Sequence, residues 1–217
     1  MELIHHAVNL FLHLDKHLND AMLQHGTVWT YGILFVIIFC ETGLVVTPIL
    51  PGDSLLFAAG ALAAAGPLHP GWLIGLLTGA AVLGDTVNYW IGHLFGAKLA
   101  QKFPGVVKPE YLDRTHAYYE KYGGSTIILC RFVPIVRTFA PFVAGIGSMR
   151  YGKFFLYNII GGVIWVVAFI AGGVWFGQLD FVKKHFGIVE LVIILISVLP
   201  MGLEFFRARR EVKNHGA

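Results

Sequence analysis

Four charged residues stand where the surrounding sequence offers them no water. Glu41 lies in FCETG, Asp53 in LPGDS, and Arg131 and Arg137 in the stretch TIILCRFVPIVRTFAPFVAGIG. A charge at the centre of a bilayer costs roughly 2.5 to 3.5 kcal/mol on insertion scales, so charges in such places are seldom incidental. If the segments that carry them meet, two acids face two arginines. Pairing then offsets part of the desolvation and leaves a site with both proton-binding and anion-binding groups. A carboxylate withdrawn from water can load and release a proton as a cavity changes sides, and Glu41 and Asp53 are the candidates for that role. Arginine keeps its charge and presents planar, bidentate donors suited to phosphate, which makes Arg131 and Arg137 the candidates for binding an anionic substrate. The competing structural reading is a salt-bridge network that only holds segments together. Asp85, Asn88 and Tyr89 in GDTVNY could share one helical face toward the interior and form a secondary candidate set.

The elements that position these residues belong in lipid. Of the 217 residues 56% are hydrophobic and only 13% charged, with a mean hydropathy of +0.69, whereas a soluble domain carries roughly 25% charged residues. Apolar runs at 159–176 and 188–203 approach or exceed the roughly 18 residues that mark a bilayer-spanning helix. A third span is expected at about 72–95, and the last two at about 154–176 and 188–206. The fold class expected is therefore an all-α, polytopic membrane protein with one membrane domain over 28–206. An amphipathic interfacial segment at 1–27 precedes it and a basic tail at 207–217 follows. The amino terminus has no signal-peptide pattern, so Met1 is taken as the mature start.

Charge placement orients the chain. Arg207, Arg209, Arg210 and Lys213 put the carboxyl tail in the cytoplasm, and Lys98, Lys102, Lys108, Arg114 and Lys121 put the middle loop there too. Lys183 and Lys184 fall on the outer side in this scheme. Cys40 and Cys130 sit in apolar runs as small buried filler, not as a disulfide framework. His13 and His17 are spaced four apart on the amphipathic segment, but no further ligand completes a metal site. A short surface helix is expected at 111–121.

Two segments cannot be unbroken helices. Pro48, Pro51 and Gly52 interrupt the first, and Pro134 and Pro141 the second, because proline removes an amide donor and clashes with the preceding turn. At membrane depth a broken backbone is tolerated where protein or a water-filled cavity satisfies it, so two re-entrant helical hairpins are expected. The segments also resemble one another. Pro48-Ile49-Leu50-Pro51 leads to Ala59-Gly60, and Pro134-Ile135-Val136-Arg137 leads to Ala144-Gly145, at a nearly constant offset. Each is followed by a span ending in Gly-x-x-x-Gly, at Gly92–Gly96 and Gly173–Gly177. Paired interrupted helices in corresponding halves point to a transporter site between repeats, whereas the alternative is chance likeness of small-residue apolar sequence.

Phe39-Cys40-Glu41-Thr42-Gly43, Leu50-Pro51-Gly52-Asp53-Ser54-Leu55, Gly84-Asp85 with Tyr89 and Gly92, and the block from Arg131 to Pro141 together resemble the DedA family of bacterial inner-membrane proteins, within the SNARE-associated/VTT domain superfamily. The likeness runs over nearly the whole chain and is strongest to the family's DedA subgroup. It implies re-entrant hairpins, dependence on proton motive force, and movement of undecaprenyl phosphate or a related lipid across the inner membrane. It also places the family's functional positions at Glu41, Asp53, Arg131 and Arg137. His93 departs from the pattern, since many members have arginine there. The expected function is a proton-linked flippase whose partners are protons and an anionic, phosphate-headed membrane lipid. No cofactor, metal or nucleic acid is expected, and a homo-oligomer is compatible with the sequence. The alternatives are an energy-independent scramblase and a scaffold acting indirectly on envelope and division. An enzyme acting on lipid phosphates is not expected, because HExxH, a P-loop and a Ser-His-Asp set are missing.

Overall fold

The computed structural model describes residues 26–44, 52–66, 68–102, 124–147 and 149–180, with residues 182, 188 and 192, leaving aside the side chains at 97–102, 134 and 135. The amphipathic segment, Pro48 and Pro51, the 111–121 helix, most of the expected 188–206 span and the basic tail lie outside these residues.

Six helices make up the described part: α1 (Thr27–Gly43), α2 (Gly52–Ala64), α3 (Pro70–Lys102), α4 (Ser125–Cys130), α5 (Pro134–Ile146) and α6 (Tyr151–Phe176). No strand occurs among the described residues. Two stretches, Pro70–Gly96 of α3 and Tyr151–Phe176 of α6, are long and apolar enough to cross a membrane. At 1.5 Å per residue each reaches about 40 Å, against a hydrocarbon core of about 30 Å. Their outer faces are as apolar as their inner ones. Leu83, Val87 and Leu94 on α3, and Ile160, Val163, Ile164 and Val167 on α6, are exposed, a pattern that lipid favours and water does not.

The breaks fall partly where proline dictates. The second segment splits at Arg131–Val133, and Pro134 opens α5, the position where a missing amide costs a helix nothing. Gly52 opens α2. Pro141 corrects the expectation: it lies inside α5 and does not end it. Its ring removes the amide that would bond the Arg137 carbonyl, but packing against neighbouring helices holds the rest of the element together. Gly66, with φ of +106°, gives the left-handed turn between α2 and α3. Cys40 and Cys130 are half-buried, not fully enclosed.

Packing exchanges the short helices between the long ones. α1 and α5 lie against α3, α4 and α2 lie against α6, and α3 and α6 touch each other. Two of these contacts are made through glycine. A β-carbon on Gly173 would strike the Phe57 carbonyl and one on Gly60 the Ile170 carbonyl. One on Gly92 would strike the Phe142 carbonyl and one on Gly145 the Tyr89 carbonyl. Close backbone approach of this kind is the usual basis of helix association in lipid. One apolar cluster joins Leu34, Ile38, Leu56, Leu73, Leu77, Trp165 and Ile170 from α1, α2, α3 and α6. A smaller one joins Tyr89, Ile127, Ala144 and Phe154 from α3 to α6.

Candidate functional site: a buried ion-pair network

Arg137, on α5, reaches inward to two carboxylates on two other helices. Its Nη2 donates to Glu41 Oε1 on α1, and its Nη1 donates to Asp53 Oδ1 on α2 at 2.6 Å. The guanidinium lies over the Trp165 ring of α6, with Cζ 5.0 Å from the ring centroid. Four elements thus converge on one cation. Glu41 is 1% exposed and Arg137 8%, so these charges are held by one another and not by water.

Local sequence explains how the acids arrive. Gly52 donates its backbone amide to Glu41 Oε1 at 3.1 Å, so the α1 carboxylate sits at the N-terminus of α2, where partial positive charge favours an anion. A β-carbon on residue 52 would fall onto that carboxylate, 2.6 Å from Glu41 Cδ. This accounts for glycine beside Asp53. Asp53 then lies in the first turn of α2 and accepts a further hydrogen bond from Trp165 Nε1 at 2.9 Å.

Arg131 forms a second centre. The sequence suggested that both arginines meet Glu41 and Asp53, but Arg131 donates instead to Asp85 on α3 and to Asn158 Oδ1 on α6. The reason is position. Arg131 lies on the turn between α4 and α5 and points into the seam between α3 and α6. There Gly161 leaves room for it: a β-carbon at 161 would lie 3.0 Å from Arg131 Cδ. Asn158 also donates to the Val82 carbonyl at 3.1 Å, tying α6 to α3.

The secondary candidates are all buried. Asn88 Nδ2 donates to the carbonyls of Thr42 (3.2 Å) and Thr138 (2.7 Å), bridging α1 and α5 at the level of the network. The Tyr89 hydroxyl donates to the Met149 carbonyl, and its ring stacks on Phe154 at 4.6 Å, which is a packing role. His93 Nδ1 lies 3.4 Å from the Gly145 carbonyl. Among the described residues Glu41 Oε2, Asn88 Oδ1 and the Nε atoms of Arg131 and Arg137 are buried without a hydrogen-bond partner.

Comparison with known proteins identifies the family. The VTT domain family matches residues 50–174, which include Asp53, Asp85, Arg131 and Arg137. Protein DedA of Escherichia coli (strain K12) is 50% identical over 213 residues, 97% of each chain. The chain belongs to the DedA family of VTT-domain membrane proteins. An uncharacterized membrane protein of Mycobacterium tuberculosis (strain ATCC 25618 / H37Rv) is 44% identical over 192 residues, covering 87% of this chain and 84% of its own. The inner membrane protein YqjA of E. coli (strain K12) is 34% identical over 171 residues, 78% of each chain. No solved structure matches the chain.

Two residues of the network escaped sequence reasoning, Asn158 and Trp165. Signals for both existed. Asn158 is an amide inside a spanning run, and Trp165 stands in mid-span, away from the interfacial belts where tryptophan gathers.

Proposed function

We propose that this protein moves an anionic, phosphate-headed lipid, undecaprenyl phosphate or a relative of it, across the bacterial inner membrane in a proton-linked step. The observation that carries the reading is the sharing of Arg137 by Glu41 and Asp53 in a site nearly closed to solvent. Phosphate oxygens suit the same two guanidinium nitrogens that the carboxylates hold. Headgroup and carboxylates therefore compete. A proton on either acid weakens its hold on Arg137 and releases a donor to the phosphate, which is a direct physical basis for coupling. Arg131, held by Asp85 and Asn158, forms a neutral pair that locks α3 to α6.

The architecture supports the same reading. α1, α2 and α5 are 17, 13 and 13 residues long, about 20 to 25 Å, too short to cross unaided. We read α1–α2 and α4–α5 as re-entrant hairpins. The pairs Phe57/Phe142, Gly60/Gly145, Gly92/Gly173 and Ile170/Tyr89 occupy matching contacts at the two crossings, as expected if the halves descend from one repeat, the second helix of each hairpin (α2, α5) packing on the other half's span and the first (α1, α4) on its own. The inner-membrane location follows the names of the relatives. Nothing in this scheme requires bond-making, so the protein is read as a transporter and not an enzyme.

The test is reconstitution in liposomes with labelled undecaprenyl phosphate and an imposed pH gradient. Lipid movement that follows the gradient and is lost in Arg137→Ala is expected. A wild-type protein that neither binds nor moves the lipid would rule the function out. Movement indifferent to the gradient would instead favour the energy-independent scramblase.

A further inference from the structure

Trp165 differs from the other four tryptophans in being buried; Trp90, within α3, is exposed on its outer face. Trp29, Trp72 and Trp175 are exposed close to the termini of α1, α3 and α6, whereas Trp165 is 1% exposed in the middle of α6. Its ring touches both members of one ion pair in different ways. The N–H edge donates to Asp53 Oδ1 at 2.9 Å, and the face lies 5.0 Å from Arg137 Cζ. Indole is the side chain that offers a strong donor with no acceptor, together with the largest π face for a cation.

We propose that Trp165 is a positioning residue that stands in for each partner when Asp53 and Arg137 separate. The inference rests on the transport function above. Parting a buried ion pair strands two charges, which is the costly event in any cycle that trades a carboxylate for a phosphate. As phosphate takes Arg137, Asp53 keeps the indole N–H until a proton reaches it, so the N–H sets the rate of exchange and not the stability of the bound state. When Asp53 accepts a proton and lets go, Arg137 keeps the ring face. Glu41 has an equivalent uncharged donor in the Gly52 amide. Each acid is thus backed by a neutral partner on a different element, and the exchange proceeds without a bare charge.

Two substitutions divide the roles in the full-length protein. Trp165→Phe keeps a face for Arg137 and deletes the N–H. Trp165→Leu deletes both. With labelled undecaprenyl phosphate in nanodiscs for binding and in liposomes for transport, Trp165→Phe is expected to bind as wild type does but to transport about tenfold more slowly, the scale of one hydrogen bond to a charged group. Trp165→Leu is expected to lose about tenfold in affinity as well. A tryptophan that only filled space would lower thermal stability in both and leave this split between rate and affinity unseen. Should Trp165→Phe fail to fold, benzothienylalanine at 165, with sulfur in place of the N–H at nearly constant shape, makes the same deletion. A wild-type transport rate in the N–H-less protein overturns the role of Trp165 alone. A wild-type protein that moves no lipid overturns it together with the proposed function.

Discussion

Arg137 and Asp53 are 84 residues apart in the chain and 2.6 Å apart in the fold. That contact joins the two segments in which proline and charge coincide, and Glu41 completes it from a third helix. The cation has two acids to satisfy, each on its own nitrogen, and the consequences can be measured.

Lysine cannot replace Arg137. An ammonium is a single point of charge and cannot hold two carboxylates through a planar fork. Arg137→Lys should keep the protein folded and reduce transport more than tenfold. Arg137→Ala strands two buried carboxylates and should destabilise by about 3 to 5 kcal/mol. Adding Glu41→Gln and Asp53→Asn to it should recover the unfolding temperature in detergent without recovering transport.

Arg131 and Asp85 should behave as a coupled pair. Removing either leaves a buried charge and should cost about 3 to 5 kcal/mol, whereas Arg131→Met with Asp85→Leu should cost less than either alone. Thermal unfolding of the four proteins in the cycle gives the coupling. If the double variant still binds phosphate lipid, Arg131 acts mainly as the lock between α3 and α6. If binding is lost while the fold recovers, Arg131 contacts the headgroup.

The glycines divide by what their β-carbons would meet. Gly145→Ala and Gly92→Ala push against backbone carbonyls across the α3–α5 crossing and should destabilise by about 1 to 3 kcal/mol. Gly75→Ala and Gly152→Ala face open space and should be neutral or stabilise by up to about 1 kcal/mol. Gly52→Ala is a separate case: its methyl displaces the buried Glu41 carboxylate from its partners, so both transport and unfolding temperature should fall, and Glu41→Gln in the same protein should recover part of the stability without recovering transport.

The membrane class, the family and the embedded charges were legible because a charge in an apolar run carries its own energetic signal. Which charges pair was not legible. Arg131 and Arg137 are six residues apart in one block, yet they face different seams, because the turn at Arg131–Val133 redirects the chain between them. Spacing along the block does not encode that turn, and Asp85, a secondary candidate, proved to be Arg131's partner. Pro141 misled for a related reason: local chemistry favours a break, and tertiary packing overrides it. Trp165 was marked only by its mid-span position, which does not say that its N–H finds Asp53.

Competition for Arg137 makes a prediction about protons. If phosphate displaces ionised Glu41 or Asp53 from the guanidinium, the carboxylate left behind takes up a proton, so binding consumes protons and affinity must weaken as pH rises. The decisive measurement is proton uptake by purified protein in weakly buffered nanodiscs as undecaprenyl phosphate is added. Uptake that follows occupancy in the wild type, and disappears in Glu41→Gln with Asp53→Asn while binding persists, is the predicted result. Tight binding with no change in bound protons, or affinity unaltered by Arg137→Ala, would contradict a shared arginine as the coupling element.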